Sequence, residues 1–111
     1  VAIRQLDRKR IEKFCEKLNH PAYFNEMYFE VDFHGHRYAD LMEVEPPFPG
    51  VTPGDRFPLA RLRYTSTTDL WELYWVDSND RFHRYPDTPA TPHVQTLLDF
   101  LAGRTDPIFF G

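Results

Sequence analysis

Leu70–Tyr85 reads LWELYWVDSNDRFHRY and packs two Trp, two Tyr and one Phe into sixteen residues. Apolar and polar residues alternate through Trp71, Glu72, Leu73, Tyr74 and Trp75, the period of a half-buried strand. Asp77–Asp80 is turn chemistry, so the stretch is read as a β-hairpin. An even turn around Ser78 and Asn79 sets Trp75 opposite Phe82, Tyr74 opposite His83 and Glu72 opposite Tyr85. Cross-strand partners share a face. Trp71, Leu73, Trp75 and Phe82 then lie on one side, and Glu72, Tyr74, His83 and Tyr85 on the other. A turn different by one residue would exchange these assignments.

The segment before the hairpin extends the sheet. Leu59–Thr65 alternates again, and Ser66-Thr67-Thr68-Asp69 makes a four-residue turn. That register places Arg63 opposite Glu72 and Arg61 opposite Tyr74, with Leu62 and Tyr64 on the aromatic face. Three strands thus present a polar face carrying Arg61, Arg63, Glu72, Tyr74, His83 and Tyr85, the candidate binding residues. The same pattern also suits a solvated ladder of cross-strand pairs.

At 111 residues the chain is read as one domain, 1–111, large enough to bury a core without metal or disulfide. A net charge of −4 offers no global field for nucleic acid or an anionic membrane, although a local basic patch stays open. One Cys excludes an intrachain disulfide and a Cys-rich zinc motif, which fits a reducing cytoplasm. No signal-peptide pattern is present, and no apolar run approaches the ~20 residues of a membrane span.

Ile3–Leu18 has the 3.6 period of an amphipathic helix, with Ile3, Leu6, Ile11, Phe14, Cys15 and Leu18 on its apolar side. Asn19-His20-Pro21 ends it, because the residue before Pro avoids helical geometry. Cys15 is read as core rather than nucleophile, since no base or acid is spaced beside it. Met27–Phe33 and Arg37–Glu45 form a second hairpin around His34-Gly35-His36, Gly supplying the positive φ of a tight turn. A two- or three-residue loop fits. Three is preferred because it aligns Phe29, Val31 and Phe33 with Ala39 and Leu41.

Asp32, His34 and His36 alternate at the hairpin tip, and Glu43 and Glu45 share a face near its end. Both sets use ligand types common to divalent metals, but each is incomplete, so no metal and no cofactor is assigned. Pro46–Pro58 holds five of the ten Pro and is read as a stiff loop. Pro86–Pro92 is a second Pro-rich connector. Thr91 suits an N-cap and Pro92 a first turn for a last helix with Val94, Leu97, Leu98 and Leu101 as its buried stripe and Gly103 at its C-cap. The apolar tail Asp106-Pro107-Ile108-Phe109-Phe110-Gly111 should dock Phe109 or Phe110 on the core or in a partner's groove. The expected class is α+β: a two-layer fold with an antiparallel sheet of about five strands built from hairpins, N- and C-terminal helices packed on one face.

Trp71-Glu72-Leu73-Tyr74-Trp75, Phe82-His83-Arg84-Tyr85 and the closing Asp106-Pro107-Ile108-Phe109-Phe110-Gly111 together resemble the bacterial family catalogued as domain of unknown function 3024. Its pattern is a W-x-x-Y-W strand, a W-H-x-Y strand and a terminal F-F/W-G, and the similarity covers nearly the whole chain. This sequence differs at Phe82, where Trp is usual, and at Glu45, where Arg is expected. The resemblance implies a small bacterial cytoplasmic protein that usually stands alone, and brings no activity with it.

Three functions follow as candidates. The leading one is a non-enzymatic binding or regulatory domain using the polar-aromatic face, with a protein partner or a homodimer on it; Arg, Tyr and Trp are the residues enriched at interface hot spots. The second is a small metal-independent, toxin-like ribonuclease with His83 as general acid or base, Arg61, Arg63 or Arg81 on the phosphate and Tyr74 or Tyr85 stacking a base. The acidic net charge counts against nucleic acid without ruling it out. The third is a metal-dependent hydrolase built on Asp32, His34, His36, Glu43 or Glu45.

Overall fold

The computed structural model describes residues 3–18, 28–44, 56–103 and 106–110. The expected helix stop at Asn19-His20-Pro21, Glu45 and the Pro46–Gly50 segment lie outside them, as does the Phe110 side chain. In chain order the elements are α1 (Gln5–Leu18), β1 (Tyr28–His34), β2 (Tyr38–Val44), β3 (Arg56–Thr65), β4 (Leu70–Val76), β5 (Phe82–Arg84), α2 (Val94–Ala102) and α3 (Pro107–Phe110). The strands form one five-stranded antiparallel sheet in the order β1-β2-β3-β4-β5. This is the α+β architecture expected from the alternation and the turns.

The β3–β4 register is the one read from the four-residue turn: Arg61 faces Tyr74, Arg63 faces Glu72, Leu62 faces Leu73 and Tyr64 faces Trp71. Asp69 holds that turn. It adopts φ 56° and donates its N–H to Thr65 O at 2.8 Å. Its carboxylate accepts Tyr64 Oη at 2.6 Å and Arg4 Nη2 at 2.7 Å. Asp tolerates the left-handed region better than most residues, because its short polar side chain bonds locally.

The β1–β2 loop has three residues, but they are Gly35, His36 and Arg37, one place later than His34-Gly35-His36. Gly35 takes the positive φ, 59°. Moving a loop by a whole residue at each side preserves parity, so Phe29, Val31 and Phe33 still share a face with Ala39 and Leu41. Pro58, expected to end the long loop, lies inside β3. It sits where the β2–β3 register shifts between Leu41 and Met42, and β4 pairs with β3 only from Ala60 onward. An irregular, half-paired position is where a sheet accepts Pro.

The core lies between the Trp71 face and the helices. Trp71, Leu73, Leu62, Ile11, Val94 and Leu98 are completely buried, with Phe14, Cys15, Tyr64 and Leu101 beside them. Burial pushes the Cys15 thiol up to about 12, so it packs as a neutral apolar group. Leu6, read as part of the α1 stripe, is 60% exposed; the buried positions of that helix are Asp7, Ile11, Phe14 and Cys15. Thr91 is not the α2 N-cap. Its N–H and C=O pair with Trp71, and His93 takes the cap position without a side-chain bond. Gly103 stands at the C-cap with φ −70°, so no left-handed geometry is used there. The tail docks as expected: Phe109 is buried, its ring 5.1 Å from Tyr85 and 6.2 Å from Phe100.

Trp71→Ala should cost about 3–5 kcal/mol in chemical denaturation. Trp71→Phe should cost much less, because the indole Nε1 finds no acceptor among the described residues and only volume is lost.

Candidate functional site

The helices pack on the Trp71 side, so the opposite sheet face is the one free of helices among the described residues. Which side chains stand on it depends on the two outer hairpins. The β4–β5 turn is odd, not even: Trp75 pairs with His83, Val76 with Phe82 and Tyr74 with Arg84. Asp77 N–H donates to Arg81 O at 2.9 Å across a loop of Ser78, Asn79 and Asp80, and Asp80 takes φ 59°. Asp77 Oδ1 accepts the N–H groups of Asn79 at 2.8 Å and Arg81 at 3.0 Å. This side-chain-closed turn fixes the register one residue away from the even reading.

The slip reassigns β5. His83 and Tyr85 leave the polar face, and Phe82 and Arg84 join it. His83 stacks on Trp75 with ring centres 4.7 Å apart, and its Nε2 lies 2.7 Å from Asp77 Oδ2. Tyr85 is buried and donates its hydroxyl to Asp106 Oδ2 at 2.6 Å, which pushes the phenol up to about 12. Arg61, Arg63, Glu72 and Tyr74 are brought together as expected.

Arg61 is the centre of this face. Its Nε and Nη2 donate to Asp40 Oδ1 and Oδ2 at 2.6 and 2.9 Å, a bidentate pair. The guanidinium carbon sits 4.3 Å from the Tyr38 ring centre and 4.0 Å from that of Phe82, so the cation is layered between two aromatic faces. Asp40 has a side chain only 6% exposed, and His34 Nε2 approaches its Oδ2 at 3.1 Å. The hydrogen bond to Asp40 holds the Arg61 guanidinium above its usual range. The positions follow from pairing: Asp40 faces Arg61 and Asp32, and Tyr38 faces His34 and Arg63.

The neighbouring charges are matched in the same way. Arg56 binds Glu30 and both oxygens of Asp32, at 2.5 and 2.7 Å. Arg84 donates to Glu72 at 2.8 Å and to the carbonyl of Tyr85. Arg63, although opposite Glu72, bonds the Tyr74 hydroxyl at 3.3 Å. Asp32, His34 and His36 do not converge, since Asp32 turns to Arg56 and His34 to Asp40. Burial raises Glu43 above the usual carboxylate range. Among the described residues no group of three or more His, Cys, Asp or Glu gathers to hold a metal ion.

The family model for a domain of unknown function, DUF3024, matches residues 1–111. The chain belongs to that family. No curated protein and no solved structure matches it. Tyr38, Asp40, Arg56, Phe82 and Arg84 are the residues that the sequence reading did not place there. Asp40 and Tyr38 alternate on β2 and were visible as a pair, but their meeting with Arg61 depends on the β2–β3 register, which the Pro-rich sequence between those strands does not reveal. Phe82 and Arg84 depended on the parity of the Asp77–Arg81 turn.

Asp40→Ala should destabilise by about 2–4 kcal/mol, because it leaves the half-buried Arg61 charge uncompensated. Asp40→Ala with Arg61→Ala should cost less than the two separate losses combined, as measured in a double-mutant cycle. Asp77 gives a pH test. His83 and the N–H groups of Arg81 and Asn79 hold its carboxyl at about 2, below the ordinary 3.8. A depressed folded value means the unfolded chain binds the proton more readily. The contribution of Asp77 is therefore full above pH ~4 and lost as pH falls toward 2. Asp77→Asn should flatten the acid limb of a stability–pH curve over that window.

Proposed function

We propose that the chain is a non-enzymatic binding domain, self-contained over residues 1–111 and acting in the cytoplasm, whose Arg61-centred sheet face docks a second copy of itself. The observation that carries this reading is the Tyr38–Arg61–Phe82 stack seated on the buried Asp40. A guanidinium held between two rings and locked by a carboxylate is a rigid, part-apolar surface, the kind that loses little side-chain freedom on association.

Charge supports a like partner. The chain as a whole carries −4, so two copies repel at long range. On this face four acidic residues, Glu30, Asp32, Asp40 and Glu72, stand with four basic ones, Arg56, Arg61, Arg63 and Arg84. A balanced patch is where a repelling pair can come together at least electrostatic cost. Chemistry on the face is disfavoured by the same pairing: each of those carboxylates already accepts from a guanidinium, and His34, the imidazole on the face, lies against Asp40.

The ribonuclease alternative has one point in its favour, the His83–Asp77 contact at 2.7 Å. Arg61, Arg63 and Tyr74 lie on the other side of the sheet from that histidine, so a phosphate held by them would not reach it. Oligoribonucleotide incubated with the protein should stay intact. In light-scattering chromatography the protein should run as a dimer at micromolar concentration, and Phe82→Glu should give a folded monomer. A monomer at all concentrations would remove the second copy as occupant.

A further inference from the structure

Two basic residues without a carboxylate partner among the described residues lie at the end where the β1–β2 and β3–β4 loops meet. A pocket of about 380 Å³ opens there, its lining including His36, Arg37, Arg63, Tyr64, Ser66 and Thr67. The end of β3 is tied to the β1–β2 loop by the Tyr64 N–H donating to Arg37 O at 2.7 Å. The lining contains no carboxylate. Among the described residues none lies within ion-pair distance of Arg37 or Arg63, although Arg56, Arg61 and Arg84 each have one. Arg63 could have shared Glu72, its cross-strand partner, but Glu72 Oε2 is taken by Arg84 and Arg63 keeps only the Tyr74 hydroxyl.

We propose that this pocket binds the phosphate group of a small phosphomonoester. Two guanidinium groups line one concavity with no carboxylate at ion-pair distance among the described residues, Glu72 acting on Arg63 only from farther off, so an anion between them would gain attraction from both. A planar carboxylate is satisfied by one bidentate arginine. A tetrahedral oxyanion takes donors from several directions, which suits Arg37 on the β1–β2 loop, Arg63 on β3, an imidazole from His36 and the hydroxyls of Ser66 and Thr67. The cavity is larger than a phosphate alone and leaves room for an organic part. A long polyanion is disfavoured, because it would extend past the pocket over a chain carrying −4. The site shares Arg63 with the sheet face but does not depend on dimerisation there.

The test is isothermal titration at fixed ionic strength with AMP, adenosine and inorganic phosphate, on the wild type, Arg37→Gln, Arg63→Gln and Phe82→Glu. AMP should bind saturably, and inorganic phosphate should compete with it. Adenosine should bind at least about tenfold more weakly, and either arginine substitution should weaken AMP by about tenfold, the scale of a lost charge-assisted contact. Phe82→Glu should leave AMP binding unchanged, which separates this site from the docking face. Equal affinity for AMP and adenosine, or arginine variants that fold and bind AMP like wild type, would overturn the proposal. So would a single-stranded oligoribonucleotide that binds far more tightly than AMP and loses that binding in Arg37→Gln.

Discussion

Strand side chains alternate with period two, so the number of residues in each turn decides which groups meet water. The whole arrangement rests on that parity. Four residues between Thr65 and Leu70 bring Tyr64 over Trp71 and Leu62 over Leu73, which seals the core. Three residues between His34 and Tyr38 keep Phe33 and Val31 on the same side. Three between Asp77 and Arg81 send Phe82 outward and Tyr85 inward. Each count is held by named contacts: Asp69 with Tyr64 and Arg4, Gly35 at positive φ, and Asp77 with the N–H groups of Asn79 and Arg81.

Because those turns together with the β2–β3 register place Tyr38, Arg61 and Phe82 side by side, the outer face is not a loose set of solvated ions. Exposed salt bridges contribute little, typically under about 1 kcal/mol. The Asp40–Arg61 pair differs in two respects. Its carboxylate is nearly buried, and its cation is desolvated by two rings. Breaking such a pair is costly even where making it is close to neutral, since one charge is left without a partner. The pair therefore acts as a constraint on β2–β3 alignment as well as a surface feature, and it lies next to the register shift at Leu41/Met42.

Much of this was legible in the residues. The α+β class and the Arg61/Tyr74 and Arg63/Glu72 pairings follow from alternation and a four-residue turn, and the docking of Phe109 or Phe110 follows from the apolar tail. The failures have one physical origin. SNDR can close as an even or an odd turn, and the choice falls to the Asp77 side chain and to Asp80 accepting the left-handed region, a role more often filled by Gly. His83 and Tyr85 were misplaced for that reason alone. Asp40 escaped notice differently: its partner lies across a connection that begins at Glu45, and nothing in a Pro-rich loop fixes the register of the strands it joins. Leu6 fits the α1 period, yet the helix turns its Asp7–Ile11–Phe14–Cys15 side to the core.

The sheet edges bear on whether partners meet the face or the rim. The outer side of β4 is paired along most of its length, by β5 at Tyr74–Val76, by Tyr85 at Leu73 and by Thr91 at Trp71. At the other rim β1 carries Glu30, Asp32 and His34 on one side, charged or polar groups of the sort that discourage strand addition. Two of them are also held by Arg56, which reaches across from β3. An added strand would have to desolvate those ion pairs for a row of main-chain hydrogen bonds worth about 1 kcal/mol each. The face offers a better exchange at its centre, because Arg61 is already paired with Asp40 and its two rings are already aligned. Association centred on the Arg61 stack would desolvate a cation already held by Asp40 and two rings, whereas an added strand at the β1 edge would have to desolvate the Arg56 pairs.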